Sequence, residues 1–62
     1  MNYQGIVESL ECLKRNLGRQ YDRTHNPFTG AMYNRVDDQI TELVTNHDCK
    51  RLSKPYKIRL AD

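Results

Sequence analysis

Three carboxylates lie close together in the second half of the chain and are its clearest candidates for chemistry. Asp37 and Asp38 are adjacent, and Glu42 follows Asp38 by four residues, a spacing that places both side chains on one side of a helix. Such a patch can attract a basic partner, and one carboxylate can also position a water molecule for attack on a phosphoryl group. A solvated acidic helix surface beside Arg35 is the simpler interpretation.

Two histidines and two cysteines are the remaining candidates for metal binding or nucleophilic catalysis, and they are His25, His47, Cys12 and Cys49. One residue separates His47 from Cys49, which is unlike the ligand spacing of zinc sites, and the chain has no Cys-x-x-Cys pair. We therefore expect no catalytic residue, no metal and no cofactor. We also expect two free thiols, because small secreted domains held by disulfides usually carry four or more cysteines.

Five of the ten lysine and arginine residues lie in the C-terminal residues 50–62. The whole chain has a net charge of +2, but residues 50–62 contribute +4 and residues 1–49 contribute −2. Cations in this tail could contact phosphates while its tyrosine stacks on a base. The candidates are Lys50, Arg51, Lys54, Tyr56, Lys57 and Arg59. Nucleic-acid binding is one hypothesis for this tail, and a simply solvated terminus is the alternative.

Two apolar stripes must position all of these groups. The first consists of Tyr3, Ile6, Leu10, Leu13 and Leu17, and the second of Tyr33, Val36, Ile40, Leu43 and His47. Steps of three and four residues predict two amphipathic helices. We place these helices over about residues 3–22 and 30–48, joined by a polar loop that contains Pro27.

The ends of both helices have local signals. Asn2 can cap the first helix through its side-chain oxygen. Thr29 is the predicted cap of the second helix, with Phe28 packing on Tyr33 as a hydrophobic staple. Pro55 prevents the second helix from continuing into the tail.

The predicted fold is an all-α antiparallel hairpin over residues 1–49, followed by a basic extended tail over residues 50–62. Apolar residues in the tail alternate with charged ones from Tyr56 to Leu60, which is the periodicity of a short strand. Such a strand would have to pair with a copy of itself or with the sheet edge of a partner, and the alternative is a disordered tail. Only 37% of the residues are hydrophobic, so the core must be thin or shared between chains. We therefore expect two hairpins to pair into a four-helix bundle.

The predicted function is that of a non-enzymatic protein–protein interaction module, a regulator or inhibitor of the small type that bacteria and phages encode. We expect it to form a homodimer or to bind another protein. The residues expected to drive association are Leu10, Leu13, Leu17, Val36, Ile40 and Leu43, and those expected to select the partner are Asp37, Asp38 and Glu42. No apolar run approaches the ~20 residues of a membrane span, and the N-terminus lacks a secretory signal. A cytoplasmic protein without membrane contact is therefore expected.

The outline also resembles the sporulation aspartyl-phosphate phosphatases, which are two-helix hairpins that act on response regulators. Their second helix carries a Ser-Gln-x-Leu-Asp signature, and the corresponding stretch here runs from Tyr33 to Asp37. Asp37 matches that signature in identity and Val36 replaces its leucine, whereas the serine and glutamine positions differ. The resemblance implies a phosphatase in which Asp37 takes part in phosphoryl hydrolysis.

Overall fold

In a computed structural model that describes residues 2–60, the chain folds as an antiparallel pair of helices. The first helix, α1, spans Tyr3–Thr24, and the second, α2, spans Pro27–His47. The predicted helical hairpin is thus confirmed, while its pairing into a four-helix bundle stays a prediction. Residue 1 of the predicted hairpin and residues 61 and 62 of the predicted tail lie outside the described residues.

The beginning of α1 matches the sequence expectation, and its end is closed by a left-handed residue. The Asn2 side chain accepts a hydrogen bond of 3.0 Å from the amide of Gly5, which satisfies one of the free donors in the first turn. At the other end His25 has a φ of 51°, and its amide donates to the Tyr21 carbonyl at 2.7 Å. The helix therefore ends in a left-handed cap.

The predicted start of α2 was wrong by one turn. Asn26 caps the helix by accepting from the Phe28 amide at 2.9 Å, and Pro27 occupies the first helical position, where its missing N–H has no intrahelical partner to lose. Thr29 is consequently inside the helix and is not its cap. Phe28 is 80% exposed, so it forms no buried staple with Tyr33.

Four apolar side chains form the centre of the core between the helices, namely Val7, Leu17, Val36 and Ile40. Leu10, Tyr33, Leu43, Val44 and Cys49 pack around it and are partly buried. The buried side of α1 also includes Glu11 and Lys14. It is therefore rotated away from the predicted stripe, toward a surface that the tail covers.

Beyond α2 the chain reverses and runs back along the hairpin. Asp48 takes a left-handed conformation with a φ of 52°, after which Lys50 contacts Gln4 near the start of α1 and Leu60 reaches the start of α2. The distance from Gln4 to Tyr21 along α1 is about 26 Å at 1.5 Å per residue. Ten tail residues cover that distance at about 2.6 Å each, compared with about 3.3–3.6 Å in a fully extended chain. The segment is therefore extended, with a bend at residues 52 and 53.

The predicted tail strand does not form in residues 50–60, because helix side chains bind the tail backbone and no second strand pairs with it. At the far end, Leu60 lies over Gly30. A methyl group added to Gly30 would lie 2.6 Å from Leu60 Cδ2 and 3.0 Å from Tyr21 Cε1. The absence of a side chain at Gly30 is therefore what lets the tail pack so closely here. Within residues 2–60, neither helix is long and apolar enough to cross a membrane.

Candidate functional site

A buried carboxylate surrounded by three cations lies between the helices and the tail. Asp37 is 0% exposed. Its oxygens lie 2.9 Å from Lys14 Nζ of α1 and 2.7 Å from Lys57 Nζ of the tail, and the Arg51 guanidinium also donates to it. We call these four residues the Asp37 cluster. It joins both helices and the tail at one point.

Asp37 was therefore misassigned as part of an exposed acidic patch. The patch is reduced to Asp38 and Glu42, which are exposed, and Asp38 itself lies 2.6 Å from Lys57. The physical reason is the tail, which covers the side of α2 that carries Asp37 and brings the cations that neutralise it.

The charge balance of the cluster is visible in the pKa of Asp37. Burial raises the pKa of this carboxyl, but hydrogen bonds from Lys57 and Lys14, together with the charges of Lys14 and Arg51, outweigh burial and lower the pKa from 3.8 to about 2. The Asp37 hydrogen bond, followed by that to Asp38, raises the pKa of Lys57. The carboxylate is thus stabilised in its charged form.

Two side-chain amides bind the backbone of the tail, each with two hydrogen bonds. Gln4 donates to the Lys50 carbonyl at 3.0 Å and accepts from the Lys50 amide at 2.8 Å. Asn34 donates to the Ile58 carbonyl at 3.0 Å and accepts from the Ile58 amide at 2.7 Å. Each side-chain amide therefore makes the pair of backbone hydrogen bonds that a neighbouring strand would make in a sheet.

Glu11 binds the tail between these two points. Its Oε2 accepts from the amides of Leu52 at 2.8 Å and Ser53 at 3.0 Å, and its Oε1 accepts from the Ser53 hydroxyl. Burial raises the pKa of Glu11, but the bonds from Ser53 and Leu52 and the charge of Lys14 outweigh it and lower the pKa. Lys14 completes the contact by donating to the Lys54 carbonyl at 3.2 Å. We call the surface formed by Gln4, Glu11, Lys14, Asn34 and Asp37 the tail groove.

The tail groove binds the side chains of two of the six residues that were predicted to contact nucleic acid. Arg51 and Lys57 are bound to Asp37, whereas the remaining cations, Lys50, Lys54 and Arg59, are exposed. Tyr56 is also exposed, although its ring packs edge-on against Tyr33 with 6.2 Å between centroids. Two of the five tail cations thus neutralise an internal charge.

Asp37 is poorly placed for the phosphatase role that the family resemblance implies. Both of its oxygens are already bonded to cations, and its side chain is almost completely enclosed. A residue that positions an attacking water must reach the substrate. Here the tail and α1 occupy that side of the carboxylate.

The opposite side of the hairpin carries exposed apolar surface. A groove of about 210 Å³ is lined by Leu10, Met32, Arg35, Val36 and Gln39. Helical spacing places Ile6 and Leu13 on the same side of α1 as Leu10. Ile6 is 40%, Leu13 43% and Met32 47% exposed. We call the surface formed by Ile6, Leu10, Leu13 and Met32 the open face.

The residues predicted to drive association divide between the core and this open face. Leu17, Val36 and Ile40 are buried within the hairpin, which corrects their assignment to an intermolecular contact. Leu10 and Leu43 are partly buried, and Leu13 is exposed. The division arises on α1 because its buried side is rotated away from the predicted stripe, so that Leu13 lies outside the contact. On α2 the centre of the stripe, Val36 and Ile40, packs inside the hairpin.

The other residues considered for chemistry are separated in space. The His47 ring stacks on Tyr3 with 3.7 Å between centroids. Cys12 is an exposed free thiol, and Cys49 is a free thiol packed at the edge of the core. In the part of the chain that is described, no three His, Cys, Asp or Glu side chains are grouped to hold a metal ion.

Comparisons with protein-family models, curated proteins and solved structures give no match to this chain. The two faces of the hairpin, one covered by the tail and the other open, are therefore the features that indicate what it does. Sequence patterning identified the apolar side but missed the tail groove. The only signal for that groove was the opposite charge of residues 1–49 and residues 50–62.

Acid is expected to weaken the fold through Asp37. The pKa of Asp37 is lower in the folded chain than the ordinary 3.8. The ionised carboxylate therefore adds to the free energy of unfolding above about pH 4, and this stabilisation is lost as the pH falls through 2. The expected loss by pH 2 is about 2 kcal/mol of the free energy of unfolding. Urea titrations followed by circular dichroism at pH 6, 4, 3 and 2 measure it. An unchanged midpoint across this range would contradict the prediction.

Proposed function

We propose that this protein is a small, non-enzymatic protein–protein interaction module that forms a homodimer through its open face. The observation that carries the proposal is the exposure of Ile6, Leu13 and Met32 beside a groove on one side of the hairpin. Apolar side chains grouped in this way mark a surface that another protein covers. Packing two open faces together would produce the four-helix bundle.

The elongated shape of the chain suits pairing with a second copy. A monomer of 7.3 kDa exposes 4834 Å² here, compared with about 4,200 Å² for a typical folded protein of that mass. The excess of about 600 Å² reflects the elongated shape of the hairpin, which measures 36 × 19 × 17 Å. A second copy of the chain could pack along this length.

The charges at the edge of the open face favour a second copy in particular. Arg35 lines the groove, and Glu42 follows it by seven residues, two helical turns along the same side of α2. A two-fold axis between these positions would place Arg35 of each copy against Glu42 of the other. The same edge thus supplies both members of two intermolecular ion pairs.

Sedimentation velocity over a wide concentration range tests this proposal. We expect a dimer for the parent chain and weaker dimers for Arg35→Glu and for Glu42→Arg, because each single reversal places like charges together. The double reversal restores opposite charges and should recover most of the affinity. A monomer at every concentration would refute the homodimer, and a double variant weaker than both single variants would refute this arrangement.

The two alternative functions have less support from the described contacts. Nucleic-acid binding would have to rely on Lys50, Lys54 and Arg59, since the other tail cations are engaged with Asp37. Phosphatase activity would require the enclosed Asp37 carboxylate to reach a substrate. A regulator or inhibitor that acts by occupying the surface of a target needs neither.

A further inference from the structure

The tail groove holds residues 50–58 in the manner in which a receptor holds an extended peptide. We propose that this groove is a binding site for an extended basic segment of another protein, and that the tail of this chain occupies the site until such a segment replaces it. The site is on the side of the hairpin opposite the open face. It is therefore separate from the surface proposed for dimerisation.

Most contacts in the groove are made with the backbone of the tail. Seven hydrogen bonds connect groove side chains with main-chain atoms of residues 50, 52, 53, 54 and 58. Every peptide carries the same backbone groups, so these contacts require an extended chain but no particular sequence. Paired hydrogen bonds to one residue, as from Gln4 and Asn34, also fix the register of that chain.

A few side-chain contacts define the chemistry of the accepted segment. Asp37 binds an arginine and a lysine that are six positions apart, Arg51 and Lys57. Glu11 and Lys14 both bind the Ser53 hydroxyl between them. The preferred ligand is thus a basic segment with Arg, then Ser two positions later, then Lys four positions after the serine.

The tail is attached mainly by polar contacts, which favours exchange. Leu52 is 66% exposed and Tyr56 is also exposed. The apolar contacts of the tail are those of Tyr56 on Tyr33 and of Leu60 over Gly30. Water can replace these polar contacts and hydrate Asp37 once the tail leaves, so the tail can open without unfolding the two helices. A competing segment must nevertheless overcome the high effective concentration of a tethered tail.

A labelled peptide with the sequence of residues 48–60 tests the proposal when it is added to the full-length chain. The parent chain should bind it weakly, because the resident tail occupies the groove. Arg51→Ser with Lys57→Ser in the chain weakens the resident tail, so this variant should bind the same peptide at least about tenfold more tightly by fluorescence anisotropy. A control peptide with serine at both basic positions should lose that affinity.

Several outcomes would overturn the proposal. The parent and the double variant could bind the peptide equally, the control peptide could bind as well as the basic one, or a further Asn34→Ala exchange could leave binding unchanged. If the double variant does not fold, Lys57→Ser alone serves, since Lys57 is partly exposed. Exchange of tails between two copies would appear as a dimer that the peptide dissociates, and it would refute binding to another protein's segment.

Peptide binding to the tail groove can be tested independently of the proposed homodimer. Leu13 belongs to the open face and makes none of the groove contacts described above. A Leu13→Asp chain carrying the two tail substitutions should therefore bind the peptide as tightly as the tail variant alone. Loss of peptide binding on Leu13→Asp would contradict the separation of the two sites.

Discussion

Replacing Asp37 by Asn is expected to lower the free energy of unfolding by about 3–5 kcal/mol, the loss seen when one partner of a buried ion pair is removed. The neutral side chain keeps the size of the carboxylate but removes the anion that Lys14 and Arg51 share. Arg51 is then largely buried without an anion, and Lys14 keeps only the Glu11 carboxylate nearby. A domain of this length is stabilised by only about 3–9 kcal/mol in total. We therefore expect much of the variant to be unfolded at 25 °C.

Urea titration followed by far-ultraviolet circular dichroism measures this loss. Asp38→Asn is the matched control, since Asp38 is the neighbouring residue, also contacts Lys57 and is 68% exposed at its side chain. An exposed ion pair contributes at most about 1 kcal/mol, so the control should remain folded. Equal losses in the two variants would show that burial of Asp37 does not control stability.

The sequence was sufficient to predict the helices but not the composition of their buried side. Apolar spacing locates α1 and α2 because a helix that packs on a partner buries every third or fourth residue. Glu11, Lys14 and Asp37 are as buried as the apolar core residues. They lie outside the apolar stripes, however, and charged residues of these types are usually found at the surface. Their burial depends on contacts with residues about 14 to 42 positions away, which periodicity within one helix does not encode.

The start of α2 illustrates a different limit. A proline inside a sequence usually indicates the end of a helix, so Pro27 was assigned to the loop. The same ring is well suited to the first helical position, where no amide partner is lost. Asn26 before it supplies the capping oxygen, and the two residues together form a start signal. Local sequence contained this information, whereas the route of the tail required the folded chain.

The tail explains why the hairpin has two different faces. A pair of helices alone leaves two long grooves, one on each side of the contact line. Residues 50–60 fill one groove with charged and backbone contacts, so Glu11 and Lys14 at the edge of that groove are buried as well. The opposite edge of the apolar stripe then remains uncovered. The tail therefore encloses Asp37 on one side, while Leu13 and Ile6 stay exposed on the other side.

Leu13→Asp is consequently expected to abolish dimerisation while the hairpin remains folded. In a two-fold dimer each substitution appears twice, and each new carboxylate would be buried without a partner. The dissociation constant should rise by at least about 100-fold. Because Leu13 is already partly exposed in the single chain, helicity and the urea midpoint should change little.

Leu52→Asp is the matched control, because Leu52 is an exposed leucine of the tail on the other side of the molecule. Sedimentation velocity should detect a dimer for this control and a monomer for Leu13→Asp at the same concentration. If both variants dissociate, association depends on general surface hydrophobicity and not on the open face. If neither dissociates, the contact between copies is elsewhere. Dissociation of Leu13→Asp alone would link association to the edge of the stripe that the tail leaves uncovered.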